Sequence, residues 1–219
     1  MIKYVPEDTS IVFSEIPDEI TLAINISNCP GSCPGCHSPY LQGDVGEELT
    51  AEVLGCLIKK NSGITCVSFM GEGRDKETLL SLAQIIRKDY GLKTALYSGR
   101  PEVPEDYNAY FDYIKVGPYI EAKGPLNKTT TNQVLYQILP DGTRLDITFK
   151  FWRSLDGKAK YELNPDLEHV KRIRKGLERN KEKYGEKYCP CRLDHTLDTI
   201  CPCREYRETA ECHCKLFKK

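Results

Sequence analysis

The sequence predicts an α/β protein: parallel β/α units through residues 1–155, then a small, mainly helical, cysteine-rich domain over 160–219. Three observations predict it. Short β-rich runs alternate with stretches of helical periodicity in the first part. Polar or glycine-rich turns follow the strands, where α/β proteins of parallel architecture gather their ligands. Eleven cysteines are unevenly spread, three at Cys29, Cys33 and Cys36 and six between Cys189 and Cys214.

Residues 20–27, ITLAINIS, alternate apolar and polar and read as the first strand. They run into a cysteine loop in which Pro30, Gly31, Pro34 and Gly35 block regular structure. Thr50 caps a helix over 51–60 with Val53, Leu54, Leu57 and Ile58 on one face. Ile64 to Met70 is a strand ending at Gly71-Glu72-Gly73. Residues 75–90 form a second helix through Leu79, Leu82, Ala83 and Ile86, stopped by Gly91. Leu92–Tyr97 and Tyr113–Val116 are strands ending at Ser98-Gly99 and Gly117-Pro118, and Leu145–Trp152 is the last strand, with Trp152 in the core. The cysteine loop, Gly71-Glu72 and Ser98-Gly99 thus share one rim. Residues 153–163 are polar and aperiodic and mark the boundary. Asn164-Pro165 starts a basic amphipathic helix over 166–184, with Leu167, Val170, Ile173 and Leu177 on its apolar face and Gly185 as its stop.

Composition excludes several function classes. The formal net charge is −1, so no strong field attracts nucleic acid or an anionic membrane. No apolar run reaches the length of a membrane span, and residues 1–8 lack the apolar core of a signal peptide. A cytoplasmic protein is expected, without nucleic-acid or membrane partners. Clustered cysteines there bind metal or do redox chemistry more often than they build a disulfide framework.

Cys29-x3-Cys33-x2-Cys36 offers three soft thiolates from one loop, which suits zinc or iron–sulfur chemistry. Three ligands on a four-iron cubane leave one iron open to a further ligand. A zinc site completed by His37 is the alternative. The spacing is that of the radical S-adenosylmethionine (SAM) motif. The stretch from Cys29 through Cys36-His37-Ser38-Pro39 resembles the activating protein of anaerobic (class III) ribonucleotide reductase. Phe69-Met70-Gly71-Glu72 falls where that family has a Gly-Gly-Asp/Glu turn holding the SAM amino group. Val116-Gly117-Pro118-Tyr119 and Thr130-Thr131-Asn132-Gln133 resemble two further segments of it. The resemblance spans about residues 10–138 and implies a partial (β/α) barrel of radical SAM type. It implies a [4Fe–4S] cluster on Cys29, Cys33 and Cys36, with Gly35, Cys36, His37, Gly71 and Glu72 around SAM. The implied partner is an anaerobic ribonucleotide reductase, on which a glycyl radical is made; activases of other glycyl radical enzymes share the chemistry. Met70 replaces the first glycine of the turn, and His37 stands where an aromatic residue is common.

The tail reads Cys189-Pro-Cys191, Cys201-Pro-Cys203 and Cys212-His-Cys214. Six thiolates exceed one tetrahedral site by two, so four ligands plus a redox-active pair is the economical division. Two zinc ions sharing thiolates, in a scaffold protein, is the alternative. Residues 160–219 resemble the catalytic subunit of ferredoxin:thioredoxin reductase through Tyr188–Arg192, Cys201-Pro-Cys203 and Glu211–Phe217. That resemblance implies a second [4Fe–4S] cluster on Cys189, Cys201, Cys203 and Cys212. Cys191 and Cys214 become the redox-active disulfide, with His213 assisting proton transfer. Ferredoxin or flavodoxin is the implied donor, and a thioredoxin or a disulfide of the reductase the implied target. The short gap from Cys191 to Cys201 implies a trimmed loop. Cys56, in a helix, and Cys66, in a strand, read as small buried hydrophobes, and His169 and His195 as surface residues.

Overall fold

The computed structural model describes residues 1–128, 130–148, 150–151 and 164–217. The chain divides into two units, Met1–Phe151 and Trp152–Lys219. The expected boundary segment and Trp152 lie outside the described residues.

In chain order the first unit contains β1 (Lys3–Tyr4), β2 (Ser10–Val12), β3 (Thr21–Asn25), β4 (Glu47–Glu48) and α1 (Ala51–Lys60). There follow β5 (Cys66–Met70), α2 (Lys76–Tyr90), β6 (Lys93–Tyr97), β7 (Tyr113–Val116), β8 (Val134–Ile138) and β9 (Arg144–Asp146). Strands β2-β3-β5-β6-β7-β8-β9 form a seven-stranded sheet in that order, and β1 pairs with β4 apart from it. The four central strands, β3, β5, β6 and β7, run parallel. The outer strands β2, β8 and β9 run antiparallel.

Helix α1 begins where the sequence places it, because the Thr50 hydroxyl accepts the Val53 N–H at 3.2 Å. Its buried side is Leu54, Gly55 and Ile58. Leu54 and Ile58 each contribute about 2 kcal/mol of burial. Cys56 falls two residues past Leu54, on the opposite face, and is exposed. That overturns its reading as a buried hydrophobe, while Cys66 is fully buried. Helix α2 starts after Asp75, whose carboxylate accepts the Thr78 N–H at 3.0 Å. Between β6 and β7 the chain crosses with only a 3-10 turn, Glu105–Ala109. Strand β8 was not legible as a strand, since its residues lack clean alternation. Among the described residues, regular strand at the end of the unit covers Arg144–Asp146, where Leu145–Trp152 was expected; positions 149 and 152 lie outside the described residues.

Register separates two chemically different faces of the sheet. Ile24, Phe69, Leu96 and Ile114 are paired in one row and belong to the main hydrophobic core with α1 and α2 residues. The other face carries Ala23, Ser68, Ala95 and Tyr113 in one row and Asn25, Met70, Tyr97 and Lys115 in the next. The chain between β2 and β3 lies over this polar face. The Tyr97 hydroxyl donates to the Glu15 carbonyl, and Ile16 is fully buried. At the amino ends of the parallel strands, Glu19 accepts from Thr65 Oγ1 at 2.6 Å, from Tyr113 at 2.8 Å and from Lys93. The amino end of the sheet is therefore polar, with Cys66 buried beside Glu19, and the cysteine loop lies at the carboxyl end.

The second unit is built on α3 (Leu167–Tyr184) and α4 (Arg204–Thr209). Helix α3 starts after Asp166 rather than at Pro165, because the Asp166 carboxylate accepts the N–H groups of Glu168 and His169 at 3.1 and 3.0 Å. Val170 and Leu177 of α3 pack with Leu216, while Tyr206 of α4 stacks on Phe217 at 4.7 Å. Leu167, expected on the same face, is exposed at the first turn of the helix. Gly176 lets α3 lie directly on the first Cys-Pro-Cys: a Cβ there would sit 3.0 Å from Pro190 Cβ. Among the described residues no helix is long and apolar enough to cross a membrane.

Candidate metal and thiol centres

Because β3, β5, β6 and β7 are parallel, the turns that follow them lie at one end of the sheet. The first is the cysteine loop. Cys29 is fastened by its N–H to the Leu41 carbonyl at 2.9 Å, and Cys36 by its N–H to the Cys33 carbonyl at 3.2 Å. All three cysteines are partly exposed. Cys29 and Cys33 Sγ flank Gly31, lying 3.4 and 3.8 Å from where its Cβ would be. The three sulfurs do not form a group within 4.8 Å of one another. Three soft thiolates on one loop suit a thiolate-bound zinc or iron–sulfur centre. Gly35 has φ of +72°, and the Tyr119 ring lies 3.3 Å from its Cβ position, so the loop packs on the turn after β7. His37 is exposed.

The turn after β5 crosses close over β3. Gly71 has φ of +131°, and a Cβ there would stand 3.0 Å from the Ile26 carbonyl oxygen. Glu72 is buried and its carboxylate is committed to protein partners. It accepts from Ser98 Oγ and, at 3.4 Å, from the Tyr107 hydroxyl, and it pairs with Arg100 Nε at 3.4 Å. Lys115, near the end of β7, is 7% exposed. Burial pushes its ammonium down to about 8, and the charge of nearby Cys33 opposes that shift. Sequence reasoning missed this residue, although a lone lysine inside Tyr-Ile-Lys-Val is itself a signal.

In the second unit the sulfurs converge. Cys189 Sγ lies 3.3 Å from Cys214 Sγ, and Cys212 Sγ 3.9 Å from Cys214 Sγ. Cys189, Cys191 and Cys214 offer sulfurs all within 4.8 Å of one another. Cys201 packs beside Cys212 against Val170, Leu177 and Leu216. Thiol hydrogen bonds from Cys203 and Cys214 hold Cys189 well below the usual thiol range, and one from Cys214 lowers Cys212. Cys203 is pushed up, first by its bond to Cys189, and Cys214 by its bonds to Cys189 and Cys212. Such crowded sulfurs share negative charge that a multivalent metal group can compensate, so the donor set fits a thiolate-bound iron–sulfur or zinc centre. The tightest trio combines one expected ligand, Cys189, with the expected redox pair. Cys191 is exposed, whereas Cys214 is 5% exposed.

The histidines of the second unit have partners that the sequence did not show, although His195 is exposed as expected. His213, expected beside the disulfide, turns its Nε2 to Glu205 Oε1 at 2.7 Å. Glu205 also receives Arg192, which fixes the acceptor there. His169, read as a bare surface residue, places Nε2 2.7 Å from the Cys214 carbonyl oxygen. His195 stacks on Tyr184 with ring centroids 3.8 Å apart.

Comparison with known proteins bears on the second unit. Residues 140–219 match the family described as ferredoxin thioredoxin reductase catalytic beta chain, which leaves residues 1–139 outside the match. The chloroplastic ferredoxin-thioredoxin reductase catalytic chain of Spinacia oleracea is 31% identical over 91 residues, covering 38% of this chain and 62% of that one. The catalytic chain of Guillardia theta is 39% identical over 59 residues, covering 24% of this chain and 58% of its own. That of Porphyra purpurea is 47% identical over 51 residues, covering 19% and 42%. The chain thus spans about half the length of the curated relatives it matches. No solved structure matches it.

Proposed function

We propose that the second unit is an iron–sulfur disulfide reductase, and that the first is a radical SAM activase that makes a glycyl radical on an anaerobic ribonucleotide reductase. The observation that carries the reading is the convergence of the tail sulfurs, with one of them, Cys191, open to solvent. Cys189, Cys201, Cys203 and Cys212 hold a [4Fe–4S] cluster, and Cys191 and Cys214 are the redox pair. When bound, that cluster would supply electrons one at a time, taken from ferredoxin or flavodoxin. Exposed Cys191 is the thiol that a protein disulfide can reach. Its thiolate attacks one sulfur of the target and releases the other as a thiolate, forming a mixed disulfide. Cys214, within 4.8 Å, then attacks Cys191 Sγ. The target leaves as a dithiol, and a Cys191–Cys214 disulfide remains, to be reduced again by two electrons and two protons. Burial of Cys214 shields the resolving thiol from other oxidants.

For the first unit, support comes from the Cys29, Cys33 and Cys36 spacing and from four parallel strands that aim three turns at one rim. These features suit a partial (β/α) barrel of radical SAM type. The three cysteines would hold a [4Fe–4S] cluster, and Gly35, Cys36, His37, Gly71 and Glu72 would line the SAM site, Glu72 as the residue whose carboxylate braces the turn through Ser98, Tyr107 and Arg100. When bound, that group would supply reductive cleavage of the sulfonium and abstraction of a hydrogen atom from a glycine of the partner. The residues of this chain fasten the loop, through Leu41 and Tyr119, and fix the Gly71-Glu72 turn against β3.

A second reading is favoured by one distance: sulfurs within 4.8 Å suit a single zinc ion as well. Metal analysis of anaerobically purified protein separates the two. About eight irons per chain support two cubanes, and zinc in a colourless protein overturns them. With reductant, SAM and the partner reductase, 5′-deoxyadenosine and a glycyl radical signal are expected. Absence of both would sink the activase reading. In a coupled disulfide-reduction assay, activity that survives Cys191→Ser would overturn the assignment of the redox pair.

A further inference from the structure

The polar face of the central sheet ends, toward the cysteine loop, on a lysine that the fold has buried without a carboxylate. Lys115 is 7% exposed. Its Nζ donates to the Gly117 carbonyl oxygen at 2.8 Å and stands 6.0 Å from the centre of the Tyr97 ring. Gln133 Nε2 also donates to that carbonyl, at 3.4 Å. Among the described residues, no Asp or Glu makes an ion pair with Lys115, although Glu72 and Glu19, the buried carboxylates at the two ends of the sheet, both have cationic partners. Cys33 is the acidic group whose charge acts on it. The contact of Gly35 with Tyr119 independently holds the cysteine loop against the turn that follows Lys115.

A buried ammonium with only a carbonyl and a ring face for company is costly, and the cost falls if an anion sits beside it. The Glu19 end shows what this sheet does with an ordinary buried charge: it surrounds it with a cation and two hydroxyls. At Lys115 the anion has to come from the rim itself. A four-iron cluster on three thiolates is anionic, and positive charge near such a group makes its reduction easier.

We propose that Lys115 is a positioning residue of the three-cysteine centre: its buried ammonium is the fixed counter-charge of the thiolate-bound cluster, steadying the Cys33 side of the loop and making the cluster easier to reduce. The inference rests on the reading of Cys29, Cys33 and Cys36 as cluster ligands. It concerns a residue outside the ligand set and outside the SAM-lining residues named above.

The test uses the full chain, reconstituted anaerobically, with Lys115→Met, Lys115→Arg and Lys115→Gln. Iron content, chelator-driven iron loss and an EPR-monitored redox titration are read, and the SAM-responsive signal identifies the front cluster. Hydrogen exchange over β7 reports folding of each variant. Lys115→Met and Lys115→Gln are expected to shift the front-cluster signal to more negative potential and to lose front-loop iron about tenfold faster or more. Lys115→Arg keeps the charge and is expected to stay near the native potential. A native potential in the Met and Gln variants overturns the inference, as does an Arg variant that behaves like Met. If Cys33→Ala leaves the iron content of the native protein unchanged, the loop holds no cluster. That result overturns both the inference and the reading beneath it, whereas an unshifted Lys115→Met with a full iron complement overturns the inference alone.

Discussion

Glu72→Ala is expected to loosen the carboxyl rim of the first unit by about 3 kcal/mol. Two buried hydroxyls lose their acceptor. Tyr107, 2% exposed, donates to Glu72 Oε2 at 3.4 Å, and Ser98, 1% exposed, donates to Oε1. A buried donor left without a partner costs about 1–3 kcal/mol. Ser98 Oγ still accepts the Arg100 N–H at 3.0 Å, so its loss falls at the lower end. The long Tyr107 bond is a weak one, yet its hydroxyl is left in the core. The Arg100 side chain is 51% exposed and returns to water, so its ion pair adds little. Amide hydrogen exchange, read peptide by peptide over β5 and β6, isolates this region from the second unit. A loss of about 3 kcal/mol raises exchange there roughly hundredfold. Glu72→Gln keeps the volume and an acceptor and is expected to cost under about 1.5 kcal/mol. If Glu72→Ala leaves β5 and β6 exchange within about threefold of native, the network does not hold the rim and the reasoning fails.

Three further outcomes are expected. In native protein, iodoacetamide should label exposed Cys56 readily, whereas Cys66 should react only after unfolding, because burial, followed by the charges of Glu19 and Asp112, pushes its thiol up; mass spectrometry of labelled peptides checks this, and early labelling of Cys66 contradicts the buried assignment. His169→Ala removes the bond to the Cys214 carbonyl and should cost about 1 kcal/mol, seen as several-fold faster exchange over residues 212–217 with α1 and α2 unaffected. Stripping iron with a chelator under anaerobic conditions should abolish exchange protection over 186–217 and leave β3, β5 and β6 protected; equal loss in both units would show that the first core also depends on metal.

Much of the local structure was legible because local signals decide it. The cap at Thr50 and the spacing of Leu54 and Ile58 define α1 to the residue. Helix starts shifted where an Asp side chain took over the cap, by one residue at Asp75. At Asp166 a fixed φ at Pro165 was outweighed by a carboxylate accepting two N–H groups. Strand β8 was missed because its identity comes from pairing with β7 and β9, not from its own alternation. The cysteines were legible for the same local reason, since ligand spacing is a property of short segments. What surrounds them was not. Ser98 and Tyr107 reach Glu72 across 26 and 35 positions of sequence, and His169 reaches Cys214 across 45. No window of sequence contains such pairs.

The two centres also differ in what supports them. In the first unit the core of Leu22, Ile24, Phe69, Leu96 and Ile114 is continuous without any cysteine of the 29–36 loop, so the candidate site at the rim would sit on a scaffold that does not depend on it. In the second, Cys189, Cys203 and Cys214 are themselves core residues, packed with Tyr206 and flanked by Cys212 and Phe217. Removing one of these sulfurs therefore alters packing and chemistry together. Cys191 is the exception among the cysteines of that unit: exposed, and outside both of its apolar clusters. A Cys191→Ser change should spare the fold and stop disulfide exchange, whereas Cys214→Ser places a hydroxyl in a site that is 5% exposed and should weaken both. The comparison needs only iron retention measured beside activity. Retention lost equally in the two variants would mean that Cys191 is bound into the centre rather than held free to react.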